Sequence, residues 1–309
     1  MNSSAASAVA DLRVICGPTG AGKSAVALAL AEAHGLTVLV ADSRQVYRGF
    51  DIGTAKPTVD ERARVPHRGI DLADPAQRFS AAAWAEYAHA VIDAQGAERV
   101  LIVGGTGLYL RALTEPLFAE PPLDAERRAA LAEELDALDT DTLRRWVAHL
   151  DPVRAGLGRT QLLRALEVAL LTGQRISDLH RDAARPAAWR ARWLVIDPGD
   201  ALHPQIERRL DAMLAAGWLE EVRALDARVS VDALAWKACG YEALRSVARG
   251  AGTMAEARWA ILVATRQYAK RQRTWFRNQL QGAAVTRIDP RAEDVGVLVH
   301  DWWSEGRSA

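Results

Sequence analysis

Eight residues constrain this chain more than any others: Gly17-Pro18-Thr19-Gly20-Ala21-Gly22-Lys23-Ser24, which match G-x-x-x-x-G-K-[ST]. They follow an apolar run, Leu12–Cys16, and open a helix-like stretch, Lys23–Ala33, which is the context this motif requires. The glycines let successive backbone N–H groups face one anion, and the helix N-terminus adds a partial positive charge. Lys23 would reach the outer phosphate, and Ser24 could ligate Mg²⁺. A loop of this kind calls for a parallel sheet. Thr37–Ala41, Val100–Val103 and Trp193–Ile196 read as buried strands, because they are continuously apolar rather than alternating. Helical patterns run over Ser80–Ala94, His203–Ala215, Glu220–Ala227 and Met254–Gln279. The expected fold class is α/β, a P-loop parallel-sheet core of the nucleoside-kinase type with helices on both faces.

The pattern changes near Pro116. Pro121-Pro122 breaks the chain, and from Leu123 to about Leu179 only helical spacing appears, as in Leu131, Leu135, Leu138 and then Leu162, Leu166, Leu170. An all-helical insertion over 117–191 is expected, with the core formed by 1–116 and 192–309. At 50% apolar and 25% charged, the composition is that of an ordinary globular chain. Equal numbers of basic and acidic residues, 39 each, exclude a globally basic nucleic-acid binder but not a local patch. Two cysteines, Cys16 and Cys239, without C-x-x-C argue against a disulfide scaffold or a cysteine zinc site. No membrane span or signal peptide is legible, so a cytoplasmic protein is expected. Only four of the basic residues are lysines: Lys23, Lys56, Lys237 and Lys270.

An NTP-hydrolysing site needs an acid at the end of an apolar strand. Val100–Val103 ends instead in Gly104-Gly105-Thr106-Gly107, whereas Thr37–Ala41 ends in Asp42. Ligands of such sheets bind outside the strands' carboxyl ends, so Asp42 and Thr106 are expected to flank the phosphate site. The alternatives are that Asp42 caps a helix and that Gly104-Gly105 forms a tight turn.

Several segments together resemble one family, the tRNA dimethylallyltransferases, also called isopentenyl-pyrophosphate transferases. They are GPTGAGKS (17–24), ADSRQVYRGFDIGTAKP (41–57), PHRGIDLADP (66–75), VGGTGLYLRAL (103–113), RALEV (164–168), ACGYEAL (238–244) and TRQYAKRQRTWFR (265–277). All four lysines fall in or beside them. The resemblance implies transfer of a dimethylallyl group from dimethylallyl pyrophosphate to N6 of the adenine at position 37, just 3′ of a tRNA anticodon. It implies Asp42 as base, Thr106 at the bridging region of the donor, Lys23 on the pyrophosphate, Mg²⁺ on Ser24, and Arg223 as an arginine that reaches the pyrophosphate. The loop would then hold a leaving group, which needs no hydrolytic acid, and ATP should be no substrate. Asp42, Ser43, Arg44, Gln45, Thr106, Arg128, Gln161, Arg164, Lys237, Gly240 and Tyr241 are implied to line the RNA path. Gln161 stands where the family often carries an arginine or another RNA-contacting residue, and Lys237 where an arginine is common.

Between Ala257 and Ile288 the chain has seven basic residues and no acid. Lys270, Arg271 and Arg273, with Trp275 and Phe276 among them, suit contact with an RNA phosphate backbone. The bland alternative is a solvated helix face, or arginines paired with acids of the insertion. The rival functions are a small-molecule kinase, a regulatory NTP-binding module, and an alkyltransferase acting on free adenine nucleotide. Against the last, a free nucleotide needs neither the insertion nor the basic helix. The expected partners are a tRNA anticodon stem-loop and dimethylallyl pyrophosphate, with the protein a monomer.

Overall fold

A computed structural model describes residues 10–114, 123–182 and 189–305. The continuously apolar runs become the centre of one six-stranded sheet: β1 (Ala10–Cys16), β2 (Thr37–Ala41), β4 (Val100–Gly104) and β5 (Trp189–Ile196). Two short strands extend it, β3 (His67–Arg68) and β6 (Val285–Ile288). All pairs are parallel, in the order β3-β2-β4-β1-β5-β6. The sheet thus grows outward from β1 in both directions, and the crevice at such a switch point is where ligands bind. In register, Cys16 and Ala41 both pair with Gly104. The next residues of three strands, Gly17, Asp42 and Gly105, therefore emerge side by side.

The first helices are α1 (Lys23–His34), α2 (Val59–Arg64), α3 (Ala81–Gln95) and α4 (Gly107–Thr114). The described residues divide into two compact units. The second unit, within 123–182, contains α5 (Ala125–Asp136), α6 (Thr140–Leu150), α7 (Arg159–Thr172) and α8 (Ile176–Asp182). Its own core is Leu135, Leu143, Val147, Leu162 and Leu166, the leucine spacing visible in the sequence. The Pro121-Pro122 break lies outside the described residues. The first unit resumes with β5 and continues through α9 (Leu202–Ala215), α10 (Trp218–Asp226), α11 (Tyr241–Ala248), α12 (Met254–Gln279) and α13 (Val295–Ser304).

Candidate active site

The phosphate loop leaves β1 in a conformation that glycine permits. Gly17 (φ +146°) lies against the Ile196 carbonyl, so that a Cβ there would collide with backbone. Gly22 (φ +89°) is the left-handed N-cap of α1. A cavity of about 390 Å³ opens over the loop and includes Lys23, Ser24, Asp42, Gly105, Arg209 and Gln272 in its walls. A smaller cavity of 90 Å³, with Ile206, Leu210, Met213, Trp218 and Ile261 as its apolar wall, shares Thr19, Gly20, Asp42 and Arg209 with the first. Asp42 therefore borders both.

Charge in this place is unbalanced by design. Lys23 donates from Nζ to the Pro18 carbonyl at 2.7 Å. Burial, and then the neighbouring Arg209, push its ammonium down to about 8, while Asp42 and Cys16 pull the other way. Arg209, on α9, is half-buried like Lys23; desolvation lowers its guanidinium, with Asp42 opposing. It donates to the Thr19 hydroxyl at 3.1 Å. Two half-buried cations without an ion-paired carboxylate are costly unless a polyanion completes the site. Behind the loop, burial pushes the Cys16 thiol up to about 12, which leaves it inert as a nucleophile. Among the described residues no group of three or more His, Cys, Asp or Glu side chains could hold a metal. Ser24 and Asp42 offer hard oxygen donors in one cavity. That set fits Mg²⁺ only in the mode where phosphate oxygens and water supply most of its ligands.

Asp42 and Thr106 are held at the strand ends. One carboxylate oxygen of Asp42 accepts from the Arg44 amide at 2.8 Å. The Thr106 hydroxyl accepts from the Ser43 amide at 3.1 Å, with the Tyr268 phenol beside it. The long helix α12 presses on this corner. The Gln272 side chain accepts from the Thr19 amide and donates to the Gly105 carbonyl, both at 2.8 Å. A Cβ at Gly105 would lie 2.5 Å from Gln272 Nε2, and one at Gly107 would enter the Trp275 ring. The glycines of GGTG are thus the imprint of α12.

The loop after Asp42 is stapled. Lys56, with a side chain 1% exposed, spends three donors on the Tyr47 carbonyl (2.5 Å), Asp51 (2.6 Å) and Asp71 (2.5 Å). Glu221 accepts from the amides of Asp51 and Ile52 at 3.0 and 2.7 Å, and from the Tyr241 hydroxyl at 2.6 Å.

The family model described as "IPP transferase" matches residues 45–279. The chain is 46% identical over 275 residues to a tRNA dimethylallyltransferase of Gloeobacter violaceus, covering 85% of this chain and 88% of that one. It is 42% identical over 277 residues to the enzyme of that name from Geobacter metallireducens, covering 86% and 89%. This chain belongs to the IPP transferase family. A solved relative, the tRNA isopentenylpyrophosphate transferase of Staphylococcus epidermidis, superposes with a TM-score of 0.66 at 29% identity, covering 97% of this chain and all of that one.

For an IPP transferase, the structure redistributes several expected roles. Lys23, Ser24, Thr19, Gly20, Gly22, Asp42 and Gln45 line the larger cavity, Arg44 the smaller. Pro18 and Ala21 shape the loop, whose Ala21 amide bonds the Pro18 carbonyl. Arg223 does not join them. It is 56% exposed on α10 and pairs with Glu220 at 3.5 Å, because its helix turns that side outward; Arg209 is the arginine in the site. Tyr241 is buried beneath the loop with Phe50, Trp218 and Trp236, so its ring is not presented to RNA. Burial, then Glu221, pushes its phenol well above the ordinary range. Gly240 makes a left-handed turn against Trp218. Arg273 pairs with Asp197 at 2.8 Å, at the end of β5. The Gln161 side chain accepts from the Gly158 amide and caps α7. Arg128 and Arg164 both clamp Glu167, the former at 2.5 Å. Burial raises the Glu167 carboxyl, but the two arginines outweigh it and hold the group low. Lys237, Lys270 and Arg271 are exposed, and the Arg271 guanidinium lies 5.8 Å from the Tyr268 ring centre. Arg209, Tyr268 and Gln272 were not expected. The signal for two of them was available, as a polar residue within an apolar helical stripe.

Proposed function

We propose that this IPP transferase moves a dimethylallyl group from dimethylallyl pyrophosphate to N6 of the adenine 3′ of a tRNA anticodon, position 37, and releases pyrophosphate. The observation that carries this is Asp42 at the junction of two cavities, one over a cationic phosphate loop and one with an apolar wall. The names of the relatives, tRNA dimethylallyltransferases, support the same reading.

In this reading the loop amides, Lys23 and Arg209 hold the pyrophosphate. As the allylic C–O bond breaks, its electron pair passes to the pyrophosphate oxygen, and the preformed cations stabilise the growing charge without reorganising. Mg²⁺ on Ser24 and the phosphate oxygens would add Lewis-acid stabilisation of the leaving group when bound. The adenine amine is a poor nucleophile, since its lone pair is delocalised. Asp42 accepts its proton as the new C–N bond forms, with the Arg44 amide fixing the carboxylate's orientation. Thr106, held by the Ser43 amide, contacts the donor's bridging region. The adenine must leave its stack to reach Asp42. On the RNA side, Lys270 and Arg271 of α12, Lys237 and Arg44 are the groups offered to phosphates.

Incubation with labelled dimethylallyl pyrophosphate and either unmodified tRNA or AMP tests this directly, with label expected in tRNA alone. Asp42→Asn should bind donor and RNA but transfer about 10²–10⁴-fold more slowly. A single-turnover rate within threefold of the parent removes Asp42 as the base. ATP hydrolysis stimulated by tRNA would favour the NTPase class instead.

A further inference from the structure

We infer that Gln272 is a positioning residue of the transfer step: by tying the Thr19 amide to the Gly105 carbonyl, it fixes the phosphate loop against the end of β4, where the allylic carbon meets its acceptor. This rests on the alkyl-transfer reading above.

Gln272 lies in the buried stripe of α12 with Ile261, Ala269 and Phe276, and is itself 7% exposed. An apolar side chain would pack there without the cost of desolvating an amide, which is offset only when both ends are paired. Both ends are paired, and to two different walls of the site. Thr19 is consequently gripped twice, at its amide by Gln272 and at its hydroxyl by Arg209. Gly105 leaves room for this contact, since a Cβ there would lie 2.5 Å from the amide nitrogen. Tyr268, one helical turn before Gln272, lies beside Thr106. The same face of α12 thus touches the phosphate loop and flanks the turn that follows β4. A glutamate could not replace Gln272 in its ionised form. It would set oxygen against the Gly105 carbonyl and put negative charge into a cavity built for a polyanion. Protonated, it reproduces both hydrogen bonds.

The experiment compares the parent with Gln272→Leu and Gln272→Glu in the full-length chain. It measures kcat, donor KM, tRNA affinity, thermal melts, and calorimetric affinity for inorganic pyrophosphate. The leucine variant should lose about 10²-fold in kcat, the usual consequence of an ångström-scale misplacement, with tRNA affinity within twofold. The glutamate variant should be as poor at pH 8, but its rate relative to the parent should recover tenfold or more toward pH 6. Lys23 and Arg209 in the same cavity favour its carboxylate, but with the polyanion bound they are already paired, and burial and that anion both disfavour it, so acid restores the neutral form. A packing role would lower both melts and leave that ratio flat with pH, which overturns the proposal, as does a leucine variant with parental kcat and KM. If the leucine variant does not fold, the pH ratio decides alone. A parent that transfers nothing to tRNA overturns the alkyl-transfer reading instead. The strap is then judged by pyrophosphate affinity, which must fall at least tenfold in Gln272→Leu and overturns the inference if unchanged.

Discussion

Lys23 makes the site sensitive to pH in two opposite senses. Its ammonium is pushed down to about 8 in the protein from 10.5. A bound pyrophosphate prefers it protonated, so donor affinity should weaken progressively as pH rises above 8, and Lys23→Met should lack that dependence. For stability the sign reverses. Between pH 8 and 10.5 the unfolded chain holds more protons at this group, so folding strengthens as pH rises there. Below pH 8 the full penalty stands, about 3 kcal/mol. Lys23→Met should therefore melt higher than the parent at neutral pH, and the difference should vanish above pH 10.5; thermal melts across that range check it. Arg209 and Arg223 make the complementary comparison. Arg209→Gln should raise donor KM and lower kcat by tenfold or more, while Arg223→Gln should change neither by more than twofold, because its partner Glu220 is itself exposed. The motif placed Lys23 and Ser24 in the cavity wall and the strand end placed Asp42 there, whereas Thr106 lines neither cavity. Arg209 needed a different reading. It falls at helical spacing from Leu202, Ile206 and Met213, on an apolar stripe where an arginine is out of place. Gln272 falls similarly between Ala269 and Phe276. A polar side chain on such a stripe has a partner across the core, and the sequence does not name that partner.

The helix α12 shows why a charge run alone misleads. Of its basic residues, Arg258 and Arg266 pair with Glu207 at 3.0 and 3.4 Å, and Arg273 with Asp197. The paired residues lie on faces packed against α9 and the β5 end, whereas Lys270 and Arg271 face outward. Arg271→Gln should therefore reduce the slope of log tRNA affinity against log salt by about one. Arg273→Gln should leave that slope unchanged and lower the melting temperature, since it strands Asp197; salt titrations beside thermal melts separate the two. Among strands, the long apolar runs were legible because burial on both faces leaves an unbroken apolar record. β3 and β6 were not. Two residues carry no pattern, and Val285–Ile288 has only one fully buried position, at an edge.

At the scale of the whole molecule, adenine is only a small part of the proposed acceptor. Phosphate contacts far from the base supply energy that can be used to extrude and orient it. AMP should consequently be used with a kcat/KM at least ~10³-fold below that of tRNA, and high salt should narrow this gap by weakening only the RNA; initial rates with both acceptors at two ionic strengths check both statements. The helical spacing of the second unit was legible as leucines, but the Arg128–Glu167–Arg164 clamp was not, since it joins different helices. A genetic consequence follows from the imprint of α12 on the β4 turn. Gly105 and Gly107 are not free to vary on their own, because Gln272 and Trp275 occupy the space a methyl group would take. An alanine at position 107 should behave as a loss-of-function allele, and selection for revertants should return shortened side chains at position 275 as readily as the original glycine. The two segments, far apart in the chain, would then form one unit of inheritance, and a recombinant that draws them from different parents should carry the defect that neither parent shows.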